Sequence, residues 1–104
     1  MPKFPRVVYM ITHNATKRMY IGSTSDLKMR LKIHFNNLRA GRCRIEDMQS
    51  DFDKYGEDYT VEILDEIKDI NSLIEYEYMD LYKSRIRGIG YNYKDNHAIR
   101  KKRL

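Results

Sequence analysis

The stretch VVYMITHNATKRMYIG, from Val7 to Gly22, decides how this chain folds. Val7-Val8-Tyr9-Met10-Ile11 is rich in β-branched and aromatic residues and predicts a strand. His13-Asn14-Ala15-Thr16-Lys17-Arg18 is polar and turn-forming. Met19-Tyr20-Ile21 predicts the returning strand of a hairpin, ended by Gly22, whose missing side chain lets another backbone approach closely. The hairpin sets Tyr9 and Tyr20 on adjoining strands, where two phenols lie within reach of each other.

Outward from the hairpin the period changes from two to 3.6. Ser23, Ser25 and Asp26 are candidate helix caps. Leu27, Leu31, Phe35 and Leu38 then share one helical face, and Gly41 is a terminator. Ile45, Met48, Phe52 and Tyr55 predict a second amphipathic helix, ended by Gly56. Tyr59-Thr60-Val61-Glu62-Ile63 alternates as a strand with one buried face does. Asp69 or Asn71 caps a third helix running to about Arg85, and Gly88 and Gly90 break the chain before Tyr91-Asn92-Tyr93. The order β-β-α-α-β-α predicts an α+β fold, a small three-stranded, mostly antiparallel sheet flanked by helices.

At 104 residues the chain is expected to form a single domain, residues 1–104, with a basic C-terminal tail over 94–104. Hydrophobic residues make up 41% and mean hydropathy is −0.75, as in a water-soluble globule. No apolar run approaches the roughly 20 residues of a membrane span. Met1-Pro2-Lys3-Phe4-Pro5 lacks the apolar core of an export signal, so a cytoplasmic setting and no membrane partner are expected. The single cysteine, Cys43, excludes an internal disulfide and a cysteine-cluster zinc site. No phosphate-binding glycine loop or serine-hydrolase elbow is present.

The net charge of +5, from 20 Lys and Arg against 15 Asp and Glu, suits a polyanionic partner. Its distribution is more telling. Lys28, Arg30, Lys32, Arg39, Arg42 and Arg44 cluster early and Arg100-Lys101-Lys102-Arg103 lies at the end, while acidic residues gather from Glu46 to Asp80. A one-sided electrostatic footprint is the expectation for nucleic-acid binding, with Lys28, Lys32, Arg42, Arg44, Lys101 and Lys102 as candidate contacts.

Arg30 and His34 are i and i+4 on the first helix and border its apolar stripe. Taken singly, each reads better as a boundary residue, a snorkelling arginine and a satisfied histidine. Glu77 falls between Leu73, Ile74 and Leu81 on a wheel that also carries Ile70, so a carboxylate is expected within an apolar stripe. There it needs a partner, either an arginine or lysine in a structural ion pair or a metal ion. Glu75, about 200° away on the same wheel, is expected to face solvent. Tyr55, Tyr59, Tyr76, Tyr78 and Tyr82 are expected in core or boundary positions with satisfied hydroxyls. A phenol with a pKa of about 10 is a poor base at neutral pH unless cations lower it, for which Arg30, His34 or a metal ion are at hand.

Together these residues resemble the GIY-YIG nuclease family. Val7-Val8-Tyr9 stands as the first motif and Tyr20-Ile21-Gly22 as the second, with valine in place of the first motif's glycine. Arg30 lies where the family places its catalytic arginine, and His34 where many members have histidine. Glu77 is matched to the metal-binding glutamate, and Asn92 in Gly90-Tyr91-Asn92 to the late asparagine. The resemblance spans about residues 6–93 and is nearest to the catalytic domains of phage and intron-encoded homing endonucleases, as Lys32-Ile33-His34-Phe35 and Phe52-Asp53-Lys54-Tyr55-Gly56 suggest. Cys43 stands where that branch often has a further histidine.

The resemblance implies a DNA endonuclease that hydrolyses phosphodiester bonds, as a stand-alone nuclease or an excised catalytic domain, from a phage or mobile element. It implies one Mg2+ (or Mn2+) per active site, held by Glu77. Arg30 neutralises the phosphate, Tyr9 activates water with His34, Tyr20 orients the phosphate or shares the proton, and Asn92 positions a side chain or phosphate. Either phenol fits the role of base. The protein is expected as a monomer or a transient dimer on DNA. The alternative is a non-catalytic nucleic-acid-binding module on the same fold, against which Tyr9, Tyr20, Arg30 and a site carboxylate together speak.

Overall fold

The computed structural model describes residues 5–94. In chain order they form β1 (Arg6–His13), β2 (Met19–Thr24), α1 (Leu27–Arg39), α2 (Glu46–Tyr55), β3 (Tyr59–Ile67) and α3 (Ile74–Tyr82). The strands make one sheet in the order β2-β1-β3. Both pairings are antiparallel, so the fold is the expected α+β arrangement. The Arg100–Arg103 cluster, with Lys101 and Lys102, lies outside the described residues.

The unbroken apolar run of β1 is explained by its central position, where both faces are covered. Val8 and Met10 pack with Ile21, Ile67 and Met79 on the side of α3. Tyr9 and Ile11 pack with Leu38, Met48 and Tyr91 on the side of α1 and α2. The hairpin turns through Lys17 in the left-handed region (φ 65°), closed by Lys17 N–H donating to the His13 carbonyl at 2.7 Å. The β1–β3 register shifts between Val8 and Tyr9, because Tyr9 faces Ile63 and Val8 faces Asp65. This bulge bends the sheet beside Tyr9, a place where bulges re-aim side chains.

Asp26 is the cap of α1, accepting from Met29 N–H at 3.1 Å. β2, β3 and α3 begin or end elsewhere than the sequence reading placed them. β2 continues through Gly22 to Thr24, because Gly22 stays extended and pairs with Tyr9. β3 runs on to Ile67, with Leu64 and Ile67 packing toward α3. α3 begins only at Ile74: Asp69 caps a preceding turn, accepting from Asn71 N–H at 3.0 Å, instead of the helix. It stops at Tyr82, where Lys83 turns left-handed (φ 59°).

That shortened helix overturns the wheel on which Glu77 was placed. Ile70 and Leu73 precede the helix, and Ile70 and Leu81 are 63% and 68% exposed. The residue α3 buries is Met79, flanked in the core by Ile74, Tyr76, Tyr78 and Tyr82. Glu75 lies one turn before Met79 and is half-buried, whereas Glu77 is exposed. Two tyrosines also depart from expectation. Tyr55 is 48% exposed, and the buried Tyr59 hydroxyl has no hydrogen-bond partner among the described residues.

After α3 the chain returns to the outer edge of β2. Gly90 bridges Met19, and Tyr91 N–H donates to the Met19 carbonyl at 2.7 Å. Gly90 sits so close to Ser84 that a Cβ would lie 2.3 Å from the Ser84 Cα. Tyr91 is anchored in turn: its hydroxyl donates to the buried Asp51 at 2.6 Å, and Arg18 bonds both Asp51 (3.1 Å) and Asp47 (2.6 Å).

Candidate active site

The site forms around the edge of β2, where the two faces of the sheet meet. Tyr9 and Tyr20 come from the face covered by α1 and α2. Their rings are 6.3 Å apart, and the Tyr9 hydroxyl passes over Gly22. A Cβ on Gly22 would lie 2.7 Å from the Tyr9 Oη and 3.0 Å from the Tyr20 ring. The glycine is therefore required by the phenols, not by a turn.

From α1, one face presents Arg30, His34 and Asn37 to a cleft of about 340 Å3 that Tyr20, Ile33, Arg42, Cys43, Arg44 and Ile45 also line. His34 Nε2 lies 3.1 Å from the Tyr9 Oη, and its ring stands edge-on to Tyr20, centroids 5.0 Å apart. A second cleft, of about 420 Å3, adjoins through Tyr20, Arg44 and Ile45 and extends to Tyr91, Asn92 and Lys94. Tyr20 and Arg44 thus stand where the two clefts meet. Arg30, Arg42 and Arg44 are exposed, and none has a carboxylate partner among the described residues. Lys28 and Lys32 are exposed on α1 but line neither cleft.

Burial dominates the protonation of the site. It pushes the Tyr9 phenol well above its ordinary value, reinforced by Tyr20 and opposed by Arg30. Tyr20 is raised by burial and by the charge of Glu75, against Arg30. Burial and then Arg30 hold His34 down to about 4. Tyr9 and His34 are both neutral at neutral pH, and their hydrogen bond is a proton path in either sense. The Cys43 thiol, half-buried in the same cleft, is raised by burial and stays protonated.

The carboxylate that meets this cluster is Glu75. It takes the Ser23 hydroxyl on Oε1 at 2.6 Å, and its charge bears on both Tyr9 and Tyr20. Glu77, matched to the metal-binding position from sequence, projects from the exposed side of α3, and Glu75 is the α3 carboxylate that reaches the cluster. Asn92 also takes a different place. It is 2% exposed, accepts from Ile21 N–H at 2.8 Å and donates to the Ile21 carbonyl at 3.0 Å. It clamps the β2 backbone between Tyr20 and Gly22, with both its amide oxygen and its amide nitrogen engaged there.

Sequence reasoning missed Glu75, Ser23 and Asp51. The signal for Glu75 was its spacing of four from Met79. Ser23 follows Gly22 directly on the strand, and Asp51 lies between Met48 and Tyr55 on a helix with a buried face.

Could a divalent ion fit here? Glu75 is half-buried, with one oxygen bonded to Ser23 and the other taking no hydrogen bond among the described residues. No group of three or more His, Cys, Asp or Glu arranged to hold a metal occurs among the described residues. One carboxylate suits an ion that keeps much of its water and draws further ligands from substrate phosphate, as Mg2+ does.

Residues 5–92 match the GIY-YIG catalytic domain family. Intron-associated endonuclease 1 of Enterobacteria phage T4 is 32% identical over 91 residues, which are 85% of this chain and 36% of that protein. The chain thus spans about a third of that relative's length. Two solved structures superpose closely. The catalytic domain of intron endonuclease I-TevI in a glutamate-to-alanine mutant has TM-score 0.75 and 29% identity, covering 86% of this chain and 94% of that one. The catalytic domain of homing endonuclease I-TevI has TM-score 0.72 and 28% identity, covering 82% and 96%.

Proposed function

The chain belongs to the GIY-YIG catalytic domain family, and we propose that it is a divalent-metal-dependent DNA endonuclease that hydrolyses one phosphodiester bond per site. The observation that carries the reading is the convergence of Tyr9, Tyr20, Arg30, His34 and Glu75 at the β2 edge, beside clefts lined by arginines. A binding surface for phosphate needs the cations. It does not need a carboxylate and a paired phenol and imidazole among them.

In this reading the scissile phosphate lies against Tyr20, with Arg30 donating to its nonbridging oxygens. The guanidinium's fixed fork suits that contact, and its charge stabilises what develops there as water attacks. Glu75 would hold a divalent ion, Mg2+ or Mn2+, which when bound would supply Lewis acidity to the phosphate. Tyr9 takes a proton from the attacking water while passing its own to His34 Nε2, so neither side chain need ionise beforehand. No free phenolate forms on Tyr9; the proton ends on His34, whose basicity burial and Arg30 lower and the negative charge of the bound phosphate raises. The P–O bond to the leaving oxygen then breaks, that oxygen takes a proton from water in the open cleft, and His34 returns its proton to solvent. Arg42 and Arg44 contact flanking phosphates, and the adjoining cleft with Lys94 carries the strand past Tyr20. Lys28, Lys32, Lys101 and Lys102 are proposed as outlying contacts of the same kind.

The test is nicking of supercoiled plasmid with Mg2+, by the wild type and Arg30→Ala. Relaxation by the wild type, abolished by EDTA and reduced at least about 100-fold in Arg30→Ala, is the expected result. Salt-dependent DNA binding without cleavage of plasmid, single-stranded or branched DNA would instead establish a binding module.

A further inference from the structure

Ser23 lies between a guanidinium and a carboxylate. Arg6, at the start of β1, places Nη2 2.8 Å from the Ser23 carbonyl oxygen and 3.3 Å from Ser23 Oγ. Ser23 Oγ in turn lies 2.6 Å from Glu75 Oε1. A guanidinium only donates and an ionised carboxylate only accepts. The hydroxyl between them therefore has one orientation, accepting from Arg6 and donating to Glu75. Strand register builds this arrangement: Ser23 pairs with Val8, Arg6 stands two residues before Val8, and alternation turns all three toward α3. No ion pair joins Arg6 directly to Glu75 among the described residues, so the serine is the link.

We propose that Ser23, oriented by Arg6, is a positioning residue that fixes the Glu75 carboxylate so that its second oxygen faces the divalent cation. The proposal rests on the assignment of Glu75 as cation ligand. Where one side chain is the protein's whole contribution to an ion, its orientation matters most. A glutamate free to rotate must be ordered each time the ion binds. Removal of such a partner lowers metal affinity about 10- to 100-fold in proteins generally.

The test is line broadening by Mn2+ in 1H–15N spectra of the whole chain, which detects weak sites without turnover. In the wild type, broadening should centre on the amides of Gly22, Ser23 and Glu75. Ser23→Ala should need about 10-fold more Mn2+ for the same broadening, and Ser23→Thr, which keeps the hydroxyl, about the wild-type amount. The Mg2+ concentration for half-maximal nicking should move in parallel, with the rate at saturating Mg2+ little changed. Should Ser23→Ala not fold, the nearly isosteric Ser23→Cys takes its place with the same expected shift. Equal Mn2+ titrations for the wild type and the hydroxyl-free variant overturn the proposal while leaving Glu75 as ligand. No broadening near Glu75 in the wild type overturns the ligand assignment and the proposal with it.

Discussion

Asn92→Ala separates a structural from a catalytic asparagine. The Asn92 carboxamide makes two hydrogen bonds to one residue, at 2.8 and 3.0 Å, both with the backbone of Ile21 and both buried. Alanine leaves an N–H and a carbonyl on the outer edge of β2 without those partners. Each buried orphan costs about 1–3 kcal/mol. Water reaching the strand edge recovers part of this, so a loss of about 2–4 kcal/mol is expected. That is a large share of the roughly 5–15 kcal/mol that holds such a domain folded. Urea unfolding followed by circular dichroism measures it, and a melting temperature lowered by on the order of 15 °C should accompany it. Asn92→Asp sharpens the test. It keeps an acceptor for the Ile21 N–H but sets a second acceptor against the Ile21 carbonyl, so at pH 7 it should be no more stable than Asn92→Ala. Acidification should restore part of the loss as the carboxyl gains a proton to donate. Wild-type stability in Asn92→Ala, together with lost cleavage, would refute the clamp and make Asn92 a substrate contact.

Gly22→Ala should fold with a loss of about 1–3 kcal/mol, because its Cβ would meet the Tyr9 phenol at 2.7 Å and a packed ring must move; nicking should fall about 100-fold through misplacement of Tyr9, and unchanged nicking would show that the phenol's position is not critical. His34 titrates at about 4 in the fold against about 6.5 unfolded, because burial and Arg30 disfavour its charge. The unfolded chain therefore takes up the proton first as pH falls: the stabilisation is complete above about pH 6.5, is lost progressively toward pH 4, and amounts to at most about 3 kcal/mol. His34→Gln should flatten the stability profile across that window, measured by urea unfolding at successive pH values. Arg44→Gln should lower the slope of log affinity against log salt by about 0.9 if Arg44 contacts one phosphate of duplex DNA; an unchanged slope would remove it from the interface.

Much of the fold was legible because its signals are local. The apolar run of β1, the polar turn after it and the leucines of α1 each follow one period, and these elements carry Tyr20, Arg30 and His34 to one cleft, with Tyr9 buried behind His34. The reading failed where burial depended on tertiary partners. Around α3 the aliphatic residues Ile70 and Leu81 suggested a buried stripe, yet the sheet instead covers Met79 and the tyrosines, and the whole wheel rotated with that choice. Glu75 and Glu77 exchanged places as a result. The roles of Asn92 and Asp51 were beyond any local pattern, since their partners lie 71 and 40 residues away at Ile21 and Tyr91, although helical spacing did place Asp51 near the buried face of α2. Ser23 was taken for a helix cap because its role requires the strand to pass Gly22.

The most direct measurement compares Glu75→Gln with Glu77→Gln in the Mg2+-dependent nicking assay, each first shown to be folded. Glu75→Gln should lose at least about 100-fold in rate, the several kcal/mol expected of a lost metal ligand, while Glu77→Gln, exposed on the far side of α3, should cut like the wild type. Full activity in Glu75→Gln with loss in Glu77→Gln would contradict the site as assembled here.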